Sequence, residues 1–148
     1  MSDYQIEQLE ALSLARMHLK SLPPRERAAL LASAADYLEF RDEVDRFLAA
    51  HFGRVCDQAC YQSRLSACCS REGIITFFAD VVINLLVSSE PEADELVRAL
   101  KREPTGFKCV YLGPNGCRWR VKPIVCQMFL CEPARARVFT QAPEVEAE

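Results

Sequence analysis

The chain has 148 residues, half of them hydrophobic, enough for one domain whose core needs no covalent staple. Its net charge of −3 and acidic isoelectric point argue against a nucleic-acid-binding protein as the first reading. The most apolar run, Ile74 to Val87, is short and carries Asp80 and Asn84, which excludes a bilayer span.

Taken in chain order, residues 3–20 place Ile6, Leu9, Leu12 or Ala11, and Met17 at helical spacing, with Ser2 or Asp3 able to cap. Leu22-Pro23-Pro24 breaks that helix and starts another. The second helix is expected over about 25–52, burying Leu30, Leu31, Ala34, Leu38, Val44, Phe47 and Leu48. Arg41-Asp42 is a candidate break, and Gly53 is the expected stop. Ile74 to Val87, apolar almost all round, reads as a central buried helix in which the polar pair Asp80 and Asn84 faces a ligand pocket or solvent. Ser89-Glu-Pro-Glu92 is a capping box opening a helix that buries Leu96, Val97 and Leu100 and ends at Pro104-Thr-Gly106. Phe107 to Leu112 and Arg118 to Val121, joined through Gly113-Pro-Asn-Gly116, read as a β-hairpin that sets Cys109 near Cys117. The acidic tail, Ala142 to Glu148, is expected to be disordered.

The feature furthest from chance is the cysteine pattern. Eight cysteines fall into two groups of four, Cys56, Cys60, Cys68 and Cys69, then Cys109, Cys117, Cys126 and Cys131. A metal ion needs ligands that converge from separate chain segments, and Cys-x(2–4)-Cys spacings each deliver a pair. Cys56-x3-Cys60 and Cys126-x4-Cys131 have that form. Adjacent side chains diverge, so Cys68 and Cys69 do not readily serve one ion together. The amino-terminal stretch lacks the basic and apolar regions of a signal peptide, so a cytoplasmic location with reduced thiols is expected. All eight cysteines are therefore candidate ligands, and thiolate ligation narrows the metal to zinc, iron in an iron–sulfur cluster, or Cu(I). His18 and His51 are the only histidines. His51 lies five residues before Cys56, but a solvent-facing position at a helix end is the simpler expectation.

Charge is distributed unevenly. Between Lys101 and Arg137 eight basic residues meet only Glu103 and Glu132, a net +6 that leaves −9 on the rest of the chain. Cations around a thiolate site offset its negative charge and lower thiol pKa values, although a solvated basic face explains the pattern equally well. No Gly-x-Ser-x-Gly, Gly-rich phosphate loop or His-Glu-x-x-His is present, so no catalytic residue is assigned.

The motif Cys109-Val-Tyr-Leu112, followed by Cys117-Arg-Trp-Arg-Val-Lys-Pro123-Ile-Val-Cys126-Gln-Met-Phe129-Leu-Cys131, with the double cysteine Cys68-Cys69 upstream, resembles the YkgJ-type cysteine-cluster family. That family comprises zinc- or iron-chelating domains related to flagellin N-methylases. The resemblance covers about residues 56–131 and departs from the family in the wider spacing of Cys56, Cys60 and Cys68. It implies a metal- or cluster-binding protein, with a link to protein methylation, and assigns no reaction.

The expected fold is mainly α, a single helical domain with a small β-hairpin and a cysteine-rich metal site. Residues 1–55 form a helical hairpin, 56–135 the cysteine region of the same domain, and 136–148 a tail. Trp119 and Phe129 are expected to shield the site from water, with Pro123 stiffening the approach to Cys126. An iron–sulfur enzyme or electron carrier and a disulfide-stapled interaction protein are the alternatives. The sequence names no protein partner.

Overall fold

The computed structural model describes residues 1–56, 74–103, 108–113 and 116–147. They fold as eight α-helices and one two-stranded sheet, the mainly helical architecture expected. No helix among them is long and apolar enough to cross a membrane.

Helix α1 spans Asp3–Ser21 and begins with a reciprocal cap, in which the Ser2 amide donates to Gln5 Oε1 at 2.8 Å and the Gln5 amide to Ser2 Oγ at 3.3 Å. Its buried face is Gln5, Gln8, Leu12, Ala15 and Leu19, while Ile6 and Met17, expected inside, are 41% and 65% exposed. The helix is rotated so that Gln5 Nε2 donates to the carbonyls of Leu100 (2.6 Å) and Arg102 (2.9 Å). Those carbonyls lie at and just beyond a helix end and lack intrahelical partners, so satisfying them outweighs the burial of one more apolar side chain.

The expected long second helix is three helices: α2 over Pro24–Ser33, α3 over Ala35–His51 and α4 over Gly53–Cys56. The break falls at Ala34 (φ −94°, ψ 0°) rather than at Arg41-Asp42, and Gly53 opens α4 instead of stopping α3. Phe52 ends α3 with a right-handed backbone, which needs no glycine. Leu30 and Leu31 are exposed, and the one fully buried residue of α3 is Arg41.

Helix α5, Phe78–Val87, is shorter than expected. Ile75, Phe77 and Phe78 are about half exposed ahead of or at its start, with Phe77 at 53%, and the Phe77 amide is capped by Asp80 Oδ2 at 2.9 Å. Helix α6, Glu90–Leu100, starts at the expected Ser89/Glu92 capping box and buries Ala93, Leu96, Ala99 and Leu100. It stops at Leu100, and Pro104-Thr-Gly106 lies outside the described residues. Strands β1 (Leu112–Gly113) and β2 (Gly116–Cys117) pair antiparallel with Leu112 opposite Cys117. The hairpin is thus present but tighter than expected, and Gly116 takes φ +106°, which β-carbon-bearing residues rarely adopt. Phe107 lies outside the described residues.

Helices α7 (Ile124–Met128) and α8 (Glu132–Gln141) follow, and a 3₁₀ helix over Pro143–Ala147 packs back on α8 with Val145 buried. The expected disordered tail is ordered there because Val145 closes a small core made by Phe52, Ala134 and Val138. The main core joins α1, α5 and α6 through Leu12, Leu19, Val81, Leu85, Leu96 and Leu100, with Tyr111 and Trp119 at its edge.

Candidate metal centre

The polar pair on α5, Asp80 and Asn84, is buried and positions the segment ahead of Cys126. Asn84 Oδ1 accepts from the Val121 amide at 3.0 Å while Asn84 Nδ2 donates to the Val121 carbonyl, so one side chain satisfies both backbone groups of that residue. One turn earlier on the same face, Asp80 Oδ1 accepts from the Ile124 amide at 3.1 Å. Together they fix the Lys122-Pro123 turn, with Pro123 fully buried, and so the start of the helix that carries Cys126. Asp80 and Asn84 thus bond to backbone rather than face a pocket or solvent; they hold the segment that carries Cys126 in place.

Cys109, Cys117 and Cys126 lie in this region near enough to influence one another electrostatically, though not at the mutual distances of a closed metal site. Cys109 and Cys117 are partly buried against the main core. Burial pushes the Cys109 thiol up to about 11, with the charges of Cys117 and Cys126 adding to it. Opposing this, the nearby backbone amides of Tyr111 and, to a smaller extent, Leu112 favour its thiolate. The Cys117 thiol is also raised by burial, and is pulled back by the Trp119 amide and the charge of Lys122. Cys126 Sγ reaches the Ile75 carbonyl at 3.9 Å, where the described chain resumes after residue 73. Trp119 packs edge-on against Tyr111 at 5.1 Å and is buried, whereas Phe129 is half exposed.

Two described cysteines lie elsewhere. Cys56 and Cys131 both pack against the small core of Phe52, Ala134 and Val138. Cys109, Cys117 and Cys131 are free thiols, while Cys60, Cys68 and Cys69 lie outside the described residues. Among the described residues no three His, Cys, Asp or Glu side chains converge closely enough to hold a metal ion. His51 is half-buried and stacks on Phe47 at 4.8 Å, rather than facing solvent at the helix end.

The basic segment is substantially ion-paired. Arg118 meets Glu95, Arg120 meets Glu92 at 3.5 Å, and Lys122 meets Asp45 at 3.3 Å. Much of its positive charge is therefore spent within the fold.

Sequence reading missed Arg41 and Gln127, which clamp α7 to α3. Arg41 Nε donates to Gln127 Oε1, and Gln127 Nε2 donates back to the Arg41 carbonyl at 3.2 Å. The signal was available: Arg41 stands three residues from both Leu38 and Val44, inside the apolar stripe of its helix.

No family model matches the chain, and neither a curated protein nor a solved structure matches it at a significant level.

Proposed function

We propose that the protein binds a soft metal, either zinc or an iron–sulfur cluster, with Cys109, Cys117 and Cys126 as the core ligand set. A fourth thiolate would come from Cys60, Cys68 or Cys69, which precede Ile74 in the chain. The observation that carries this reading is the placement of backbone amides against two of the sulfurs. Amides directed at a buried sulfur do little for a neutral thiol but stabilise the thiolate that a metal requires. The charge of Lys122 beside Cys117 acts in the same direction. Bound zinc would contribute structural stability; a bound iron–sulfur cluster would add one-electron chemistry. Cys56 and Cys131, on the second core, stand apart as a pair that either joins a second site or serves as small buried hydrophobes.

The test is the metal and acid-labile sulfide content of protein purified without oxygen or chelator. About one zinc per chain, or iron with matching sulfide, supports the reading and chooses between its forms. Protein that carries neither, and that takes up neither on reconstitution, overturns it. Loss of the metal in Cys117→Ser but not in Cys131→Ser would assign the ligand set. The link to protein methylation suggested by the family resemblance gains support from the iron outcome alone.

A further inference from the structure

Arg41 is 3% exposed, and its guanidinium meets neutral acceptors: Nε donates to Gln127 Oε1, one terminal nitrogen to Tyr37 Oη and the other to the Lys122 carbonyl. It also lies over the Tyr37 ring at 5.3 Å. Among the described residues no carboxylate pairs with it. Asp42 is taken by Arg46 at 3.4 Å, and Asp45 by Lys122 and the Gln127 amide, both at 3.3 Å. A buried cation without a countercharge is costly, and a guanidinium carries five N–H donors, so these three bonds leave one on each terminal nitrogen.

The same side chain lines an open cavity of about 190 Å³ between α3 and residues 120–122, large enough for a few waters or one small acid. Arg120 and Lys122 contribute positive charge to its wall, Asp42 and Asp45 negative charge. Counting Arg41, the lining carries a net +1, which one anionic charge would neutralise. We propose that this cavity binds the carboxylate of a small organic acid, with Arg41 as the buried anchor and Arg120 and Lys122 as the outer cations. Two donors on neighbouring nitrogens match the two oxygens of one carboxylate, and a single negative charge leaves the site neutral. A phosphate dianion would overfill it.

Acetate is the probe, titrated into the full chain with the side-chain N–H signals of Arg41 and Gln127 followed by NMR at constant ionic strength. The expected result is saturable shifts confined to these groups and their neighbours, with phosphate binding more weakly. Arg120→Ala with Lys122→Ala should weaken acetate by about fivefold or more, as expected for lost charge–charge contacts. Asp45→Asn, which keeps an acceptor for Gln127 but removes a negative wall charge, should tighten it. Shifts that do not saturate, that sodium chloride reproduces, or that the Asp45→Asn change weakens would each overturn the proposal. Lys122 also lies beside Cys117. The natural chain and the variants are therefore compared after removal of metal, so that failure of this proposal is distinguishable from failure of the metal reading.

Discussion

Asn84 holds Val121 as a neighbouring strand would, accepting its amide at 3.0 Å and donating to its carbonyl. One amide side chain therefore supplies what a sheet ladder supplies elsewhere, gripping both backbone groups of one residue in the segment leading to Cys126. Asn84→Ala strands the partly buried N–H and C=O of Val121, and should cost about 1–3 kcal/mol from the two unmade bonds. Asn84→Asp keeps the acceptor and should cost less than the alanine change in urea denaturation. If Asn84→Ala were neutral, the segment would have to be held by other means.

Gln5 gives a sharper contrast between pattern and structure. Helical periodicity invites Gln5→Leu as a stabilising change, because the position is buried. Yet its amide serves the Leu100 and Arg102 carbonyls, so Gln5→Leu should destabilise by about 1–3 kcal/mol in spite of the added apolar surface. A thermal melt of the variant, compared with the natural chain, reads the sign directly.

The raised thiols make a pH prediction for protein stripped of metal. Cys109 titrates near 11 when folded, against an ordinary value of 9.0, so the folded chain holds this proton after the unfolded chain has released it. The stabilisation is complete below about pH 9 and is lost as pH rises through about 11, with a ceiling of roughly 2–3 kcal/mol for two pKa units. Cys117 shifts in the same direction, and the raised Tyr4 and Tyr111 hydroxyls add their own loss only above pH 10. Urea midpoints between pH 8 and 10 should therefore fall in the natural protein and fall less in Cys109→Ser. A flat profile in both would contradict the burial of this sulfur.

Gly116 isolates the role of the hairpin turn. Its φ is +106°, and no atom lies within 4 Å of the place a β-carbon would occupy, so Gly116→Ala meets strain without a clash. The expected loss is about 1–2 kcal/mol. Because Cys117 follows directly, metal affinity should fall along with stability. A loss of stability without any change in metal affinity would separate the turn from the ligand set.

Much of the helical framework could be read in the sequence, because its signals are local. Ser2, Pro24 and Ser89 mark helix starts that the structure keeps, and Gly113 pairs with Gly116 as the two ends of the expected connection. What could not be read depends on partners distant in the chain. The rotation of α1 is set by carbonyls about 95 residues away, and the position of the 121–124 segment by α5 side chains about 40 residues earlier. For the candidate centre, spacing alone left open which cysteines gather. The nearness of Cys109 and Cys117 follows from the hairpin, whereas Cys126 is brought into their region through the contacts of Asp80, Asn84, Arg41 and Gln127, and Cys131 goes to the other core.

The docking of α1 onto α5 and α6 also bears on the order of events during synthesis. Ser21 ends α1 and Leu100 ends α6, so its last partner is complete only 79 residues later, roughly 4–16 s at ordinary translation rates. Until α5 and then α6 emerge, the inward face of α1 is not fully covered. Two of its five inward residues are glutamines, so a lone α1 presents a mixed polar and apolar stripe rather than a continuous oily one. The same residue that later caps α6 thus lowers the risk of misassociation while the helix waits, and replacing it with leucine should increase aggregation of nascent chains as well as weaken the finished fold.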